Sequence, residues 1–149
     1  MSVSPFITST NSIHNGVFIY IITVEDSLPT PLQFIFTLEE MREKLEIRKN
    51  EKVKFAFIMD VRKLGMLSIS NLQEFVKLLE SYSVLFEEYL VATSIYTSEN
   101  SILGFLFSIV KKFYRTKKPL KFVYTIEDAY THIDEFNGLI TPSGLITPS

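Results

Sequence analysis

Hydrophobic and polar positions along the chain alternate between two periods. Residues 16–25, GVFIYIITVE, are an almost unbroken apolar and β-branched run, which predicts a buried strand. DSLPTP (26–31) carries two prolines and predicts a loop, and LQFIF directly after it reads as a short second strand. The period then changes: Leu38, Met41 and Leu45 recur at i, i+3 and i+7 among charges, with Thr37 and Glu40 spaced as a capping box. This is the pattern of a surface helix with a charged outer face. VKFAFIMDV (53–61) is the clearest strand. SNLQEFVKLLESYSVLFEEYL (70–90) predicts a long helix with a break near Ser81–Ser83.

Three further elements follow. VATSIYT (91–97) reads as a strand, and SENSILGFLFSIVKKFYRTKK (98–118) as a helix capped by Ser98 or Asn100 and ended by Pro119. LKFVYTI (120–126) is a strand, and TIEDAYTHIDEF (125–136) a closing helix with Thr125 and Asp128 as its capping box. The Ser/Thr/Asn-rich residues 1–15 read as a flexible arm. GLITPS, written twice at 138–143 and 144–149, reads as a disordered tail. One α/β domain over residues 16–137 is expected, with a mostly parallel sheet of four to five strands and about four helices.

Composition narrows the function. A net charge of −2 supplies no basic field for nucleic acid. The absence of cysteine removes disulfides, thiolate metal sites and cysteine nucleophiles together. No signal-peptide pattern opens the chain, and no uncharged apolar run reaches bilayer length, so a soluble cytoplasmic protein is expected. The five glycines form neither a Walker loop nor a dinucleotide fingerprint, and the many serines lack a G-x-S-x-G elbow. His14 and His132 are isolated, and Glu39/Glu40 and Glu87/Glu88 point in diverging directions on their helices. No catalytic residue, metal or cofactor is expected. Asp60 alone stands out: it ends an apolar strand, where open α/β sheets place ligands and where a turn residue also accepts backbone hydrogen bonds.

The run DVRKLGMLSISNL, Asp60 to Leu72, resembles the strand-end and helix-start motif of STAS domains, the SpoIIAA-like fold of bacterial anti-sigma factor antagonists. Asp60 falls on the strand-end Asp, Val61 on the following apolar position, Leu64 on the apolar position before the loop and Leu72 on the helix Leu. Ser70 falls on the phosphorylatable Ser/Thr. Ser68, Ile69 and Asn71 stand where the family pattern has Asp, Ser and Gly. The resemblance extends over residues 16–136, and the lipid-binding CRAL-TRIO fold shares the same strand–helix rhythm. It implies a non-enzymatic domain that binds a partner protein through the 65–75 loop and helix start, with Ser68, Ser70, Asn71 and Asp60 as candidate residues and phosphate on Ser70 as the switch. Ser70 has a second reading. Gln73 follows three residues later, so Ser70 also fits a helix cap.

The 98–118 segment carries a competing site. Ile102, Leu103, Phe105, Leu106, Phe107, Ile109 and Val110 leave it almost no polar side, and Lys111, Lys112, Arg115, Lys117 and Lys118 follow. One reading is a helix buried on most sides with cations at its C-terminal dipole. The alternatives are an apolar interface, a lipid cavity, or docking on an anionic membrane surface.

Overall fold

The computed structural model describes residues 4–65, 67–98 and 118–139. Five strands form one sheet in the order β1-β2-β3-β4-β5: Ile7–His14, Val17–Val24, Phe55–Asp60, Leu90–Tyr96 and Leu120–Val123. β1 pairs antiparallel with β2, and the other three pairings are parallel. Four helices are described: α1 (Pro31–Glu51), α2 (Ile69–Glu80), α3 (Ser83–Tyr89) and α4 (Ile126–Leu139).

Residues expected to form a flexible arm are instead an edge strand. β1 matches β2 at all eight positions, from Ile7↔Val24 to His14↔Val17. Asn15 and Gly16, with φ of 50° and 79°, make the two-residue turn between them. Phe6 and Ile7 are buried, and Gln33 Nε2 donates to the Ser4 carbonyl at 2.8 Å, which ties the start of the strand to α1. The physical reason is local. Alternating Thr, Ser and Ile suit a pleated edge, and Asn-Gly is the residue pair that tolerates two consecutive positive φ values.

LQFIF is not a strand but the first turns of α1. Thr30 is the N-cap, its hydroxyl accepting from the Gln33 backbone N–H at 3.1 Å, while the Gln33 side chain accepts from the Thr30 N–H at 2.9 Å. Pro31 follows at the first helical position, where its missing N–H costs nothing. Phe34, Thr37, Met41, Leu45 and Arg48 make the buried stripe, at helical spacing throughout. The capping box expected at Thr37 and Glu40 is therefore displaced to Thr30 and Gln33. Thr37 sits inside the helix and donates its hydroxyl to the Gln33 carbonyl at 2.8 Å.

The sheet's two faces are covered differently. Tyr20, Ile22, Val24, Phe55 and Phe57 pack with Met41 and Leu45 of α1, Leu78 and Leu79 of α2, and Leu85 and Phe86 of α3. On the opposite face Ile19, Ala56, Ile58, Val91 and Ala92 pack with Ala129 and Ile133 of α4, the small side chains letting the helix lie close. A register shift between Phe55 and Phe57 opposes Val91 and Ala92 to a single β3 residue, which is how two consecutive β4 side chains reach the same face. Since parallel crossovers are right-handed, a sheet built in sequential order collects α1, α2 and α3 on one face. The helix break expected near Ser81–Ser83 lies between α2 and α3, where the Ser81 hydroxyl donates to the Leu78 carbonyl at 2.6 Å.

Candidate partner-binding surface

The C-terminal ends of β2, β3 and β4 lie side by side, with Thr23, Asp60 and Tyr96 in register. Asp60 is nearly buried there and its carboxylate is fully engaged. Arg62 Nε and Nη2 donate to its two oxygens at 2.9 and 2.8 Å, and the Arg62 backbone N–H adds a third bond at 3.2 Å. The guanidinium lies 4.3 Å from the centre of the Tyr96 ring. Burial pushes the Asp60 carboxyl up, but the Arg62 hydrogen bonds and the charges of Arg62 and Lys63 outweigh it and hold the group below its ordinary value. An anionic carboxylate already forked by arginine is a structural brace for the loop, not a free acid or base.

That brace fixes the loop after β3. Val61 N–H donates to the Tyr96 carbonyl at 2.9 Å and Leu64 N–H to the Val61 carbonyl at 3.0 Å. Gly65 N–H donates at 2.7 Å to the carbonyl of Ser27, in the loop between β2 and α1. A Cβ on Gly65 would meet that carbonyl at 3.1 Å, so the close approach of two backbones favours glycine here. Lys63 reaches Glu25 at 3.7 Å across the same junction.

The helix start differs from the sequence expectation. Ser68 is the N-cap of α2, in extended conformation, and its hydroxyl accepts from Asn71 N–H at 3.0 Å. Ser70 is not the cap. It lies one turn position inside the helix, exposed, beside Ile69, which is 57% exposed. Ser68 and Asn71 are thus joined by one hydrogen bond, Ser70 stands free of the cap, and Asp60 serves the loop behind them. Arg62, Tyr96, Gly65 and Ser27 support this surface and were not singled out from sequence; the D-x-R spacing at a strand end was the available signal. Leu28, 52% exposed, adds apolar area in the β2–α1 loop.

The competing candidates Phe105, Phe107, Lys111, Lys112, Arg115 and Lys117 lie outside the described residues, as does the 140–149 part of the tail; Lys118 is half-buried just before β5. Among the described residues no helix is long and apolar enough to cross a membrane, and no group of three His, Cys, Asp or Glu could hold a metal. A recess of about 30 Å³ lies between residues 4–7 and the first turns of α1, room for a water or two.

No protein-family model matches the chain, and no curated protein matches it. Among solved structures it is similar to an uncharacterized protein of the DUF3478 family with a SpoIIAA-like fold from Shewanella loihica PV-4. That alignment covers 89% of this chain and 98% of the other, at 16% identity and a TM-score of 0.62. An anti-sigma factor antagonist from Mycobacterium paratuberculosis aligns over 90% of this chain and 99% of its own, at 19% identity and a TM-score of 0.49. With its five-stranded, mostly parallel sheet and the helices packed on both faces, the chain has the SpoIIAA-like α/β fold.

Proposed function

We propose that this protein is a non-enzymatic regulatory domain that binds a partner protein through the 65–75 loop and the start of α2, and that phosphate on Ser70 breaks the contact. The observation that carries this reading is the division of labour between two serines. Ser68 does the capping, so the exposed Ser70 hydroxyl has no structural task in the helix start. The exposed Ile69 beside it supplies apolar contact area. The loop in front is held rigid by the Asp60–Arg62 fork and the Gly65–Ser27 bond, so a partner meets a preformed surface.

A phosphate there adds roughly −1.5 to −2 charges, which repels an acidic partner and must be desolvated on contact. Ser70→Asp is expected to weaken partner binding about tenfold or more while Ser70→Ala binds like wild type, read by calorimetry with the purified partner. Equal affinity of wild type and Ser70→Asp removes the switch.

The run of five cations among residues 111–118 supports a second reading, attachment to an anionic membrane surface. Replacing Lys111, Lys112 and Arg115 by Gln would then reduce sedimentation with phosphatidylserine vesicles. A wild-type chain that stays in the supernatant at low salt removes that reading.

A further inference from the structure

We propose that Asn15 is a deamidation site whose conversion permanently releases the tip of the β1–β2 hairpin from α4. The tip lies at the opposite end of the sheet from the α2 surface, and the inference is independent of it. The chain contains two Asn-Gly pairs, Asn15–Gly16 and Asn137–Gly138, and the fold joins them: Asn137 Nδ2 donates to the Asn15 carbonyl at 3.1 Å. Asn15 Nδ2 donates to Asp134 Oδ1 at 2.9 Å and lies 3.3 Å from His14 Nε2. His14 Nε2 is itself 3.0 Å from Asp134 Oδ1, and its ring packs on Tyr130 at 5.0 Å. Lys54 reaches Asn137 Oδ1 at 3.5 Å. These groups form one clasp between the hairpin tip and α4.

The residue pair that makes the turn is also the labile one. Glycine has no Cβ to shield its backbone nitrogen, and nothing lies within 4 Å of where a Gly16 Cβ would be. The deprotonated Gly16 nitrogen attacks Asn15 Cγ, forming the new C–N bond of a five-membered imide. The Cγ–Nδ2 bond breaks and ammonia leaves with the transferred proton. Water then opens the imide at one of its two carbonyls, giving an aspartyl or isoaspartyl residue. One water enters, one ammonia departs, and one carboxylate is gained.

Ring closure requires Cγ to swing onto the Gly16 nitrogen, and in the closed clasp that side chain is held on α4 by Asp134. Opening of the clasp is therefore the gate. Asn137 sits inside α4, where helical geometry fixes the Gly138 nitrogen away from its side chain, so it serves as the internal control. The product cannot close again. A donor at 2.9 Å from Asp134 becomes a second carboxylate, and two like charges at that distance repel.

The test uses the full chain and peptide mapping by mass after incubation near pH 8, together with melting temperatures at the same pH. Asp134→Ala should convert Asn15 about tenfold faster than wild type, and Asp134→Asn, which keeps the Oδ1 acceptor, at close to the wild-type rate. Asn15→Asp should melt below wild type near pH 8. Equal Asn15 conversion in wild type and Asp134→Ala, or unchanged melting of Asn15→Asp near pH 8, overturns the proposal. If Asp134→Ala does not fold, wild-type conversion of Asn15 in urea must exceed that in buffer, and equal rates there overturn it as well.

Discussion

Ser68 and Ser70 are both residue types that suit an N-cap, and only Ser70 has the capping-box spacing, with Gln73 three residues on. The choice is made by contacts between distant segments. The Asp60–Arg62 fork and the Gly65–Ser27 bond set where the chain leaves the loop, and the helix begins at Ile69 in consequence. The sequence marks Ser70 as a cap candidate, and its lack of a capping role is visible only in the structure. The assignment has a direct check in urea unfolding. Ser68→Ala should cost about 1 kcal/mol, the usual loss of a capping hydroxyl, and Ser70→Ala less than about 0.5 kcal/mol. The opposite order would restore Ser70 as the cap.

At the scale of elements, hydrophobic periodicity located β2, β3, β4, β5 and the α2–α3 pair because each buries a regular face. It failed at the start of α1 and at β1. LQFIF is apolar enough for a strand, yet Thr30, Pro31 and Gln33 start a helix before it, and a started helix continues through apolar residues that solvent then keeps exposed. Leu32, Ile35 and Phe36 are each about half exposed, whereas Phe34 on the buried stripe is not. β1 was missed for the converse reason: its face is mostly polar, and only the Asn-Gly turn announces the hairpin. Leu45→Ala should therefore cost about 3 kcal/mol, as expected for a fully buried leucine, while Phe36→Ser should cost less than about 0.5 kcal/mol. A large loss at Phe36 in denaturant titration would place LQFIF in the core after all.

For the whole molecule, the sequential strand order bears on function. Ligand crevices in open α/β sheets form where the strand order reverses and neighbouring crossovers pass to opposite faces. Among the described strands the order does not reverse, and the C-terminal ends of β2 and β3 lead into loops and the start of α2. The same packing sets an acid limit on the fold. His132 is buried between α4 and the sheet, with neither ring nitrogen in a well-formed hydrogen bond. Burial pushes its imidazole below the ordinary value and the Lys121 charge adds to this, against weaker opposition from Glu135 and the Thr93 backbone. The native state thus binds fewer protons than the unfolded one. Its contribution is fully present above an unfolded histidine pKa of about 6.5 and is lost as pH falls through the lower native value. Asp60 acts in the same direction further down, below an unfolded carboxyl pKa of about 4. Melting temperature should fall on acidification in two stages, and His132→Leu should abolish the first. An unchanged first stage in that variant would assign it to another group.

The contact surface is tested most directly on protein isolated from its own cells and separated by size into partner-bound and free pools. Intact-mass and peptide measurements then locate phosphate in each. The expected result is phosphate on Ser70 in the free pool and none there in the bound pool, with crosslinks from bound chains mapping to residues 65–75. A bound pool carrying as much Ser70 phosphate as the free pool, or crosslinks confined to another face such as Leu32, Ile35 and Phe36 of α1, would contradict it.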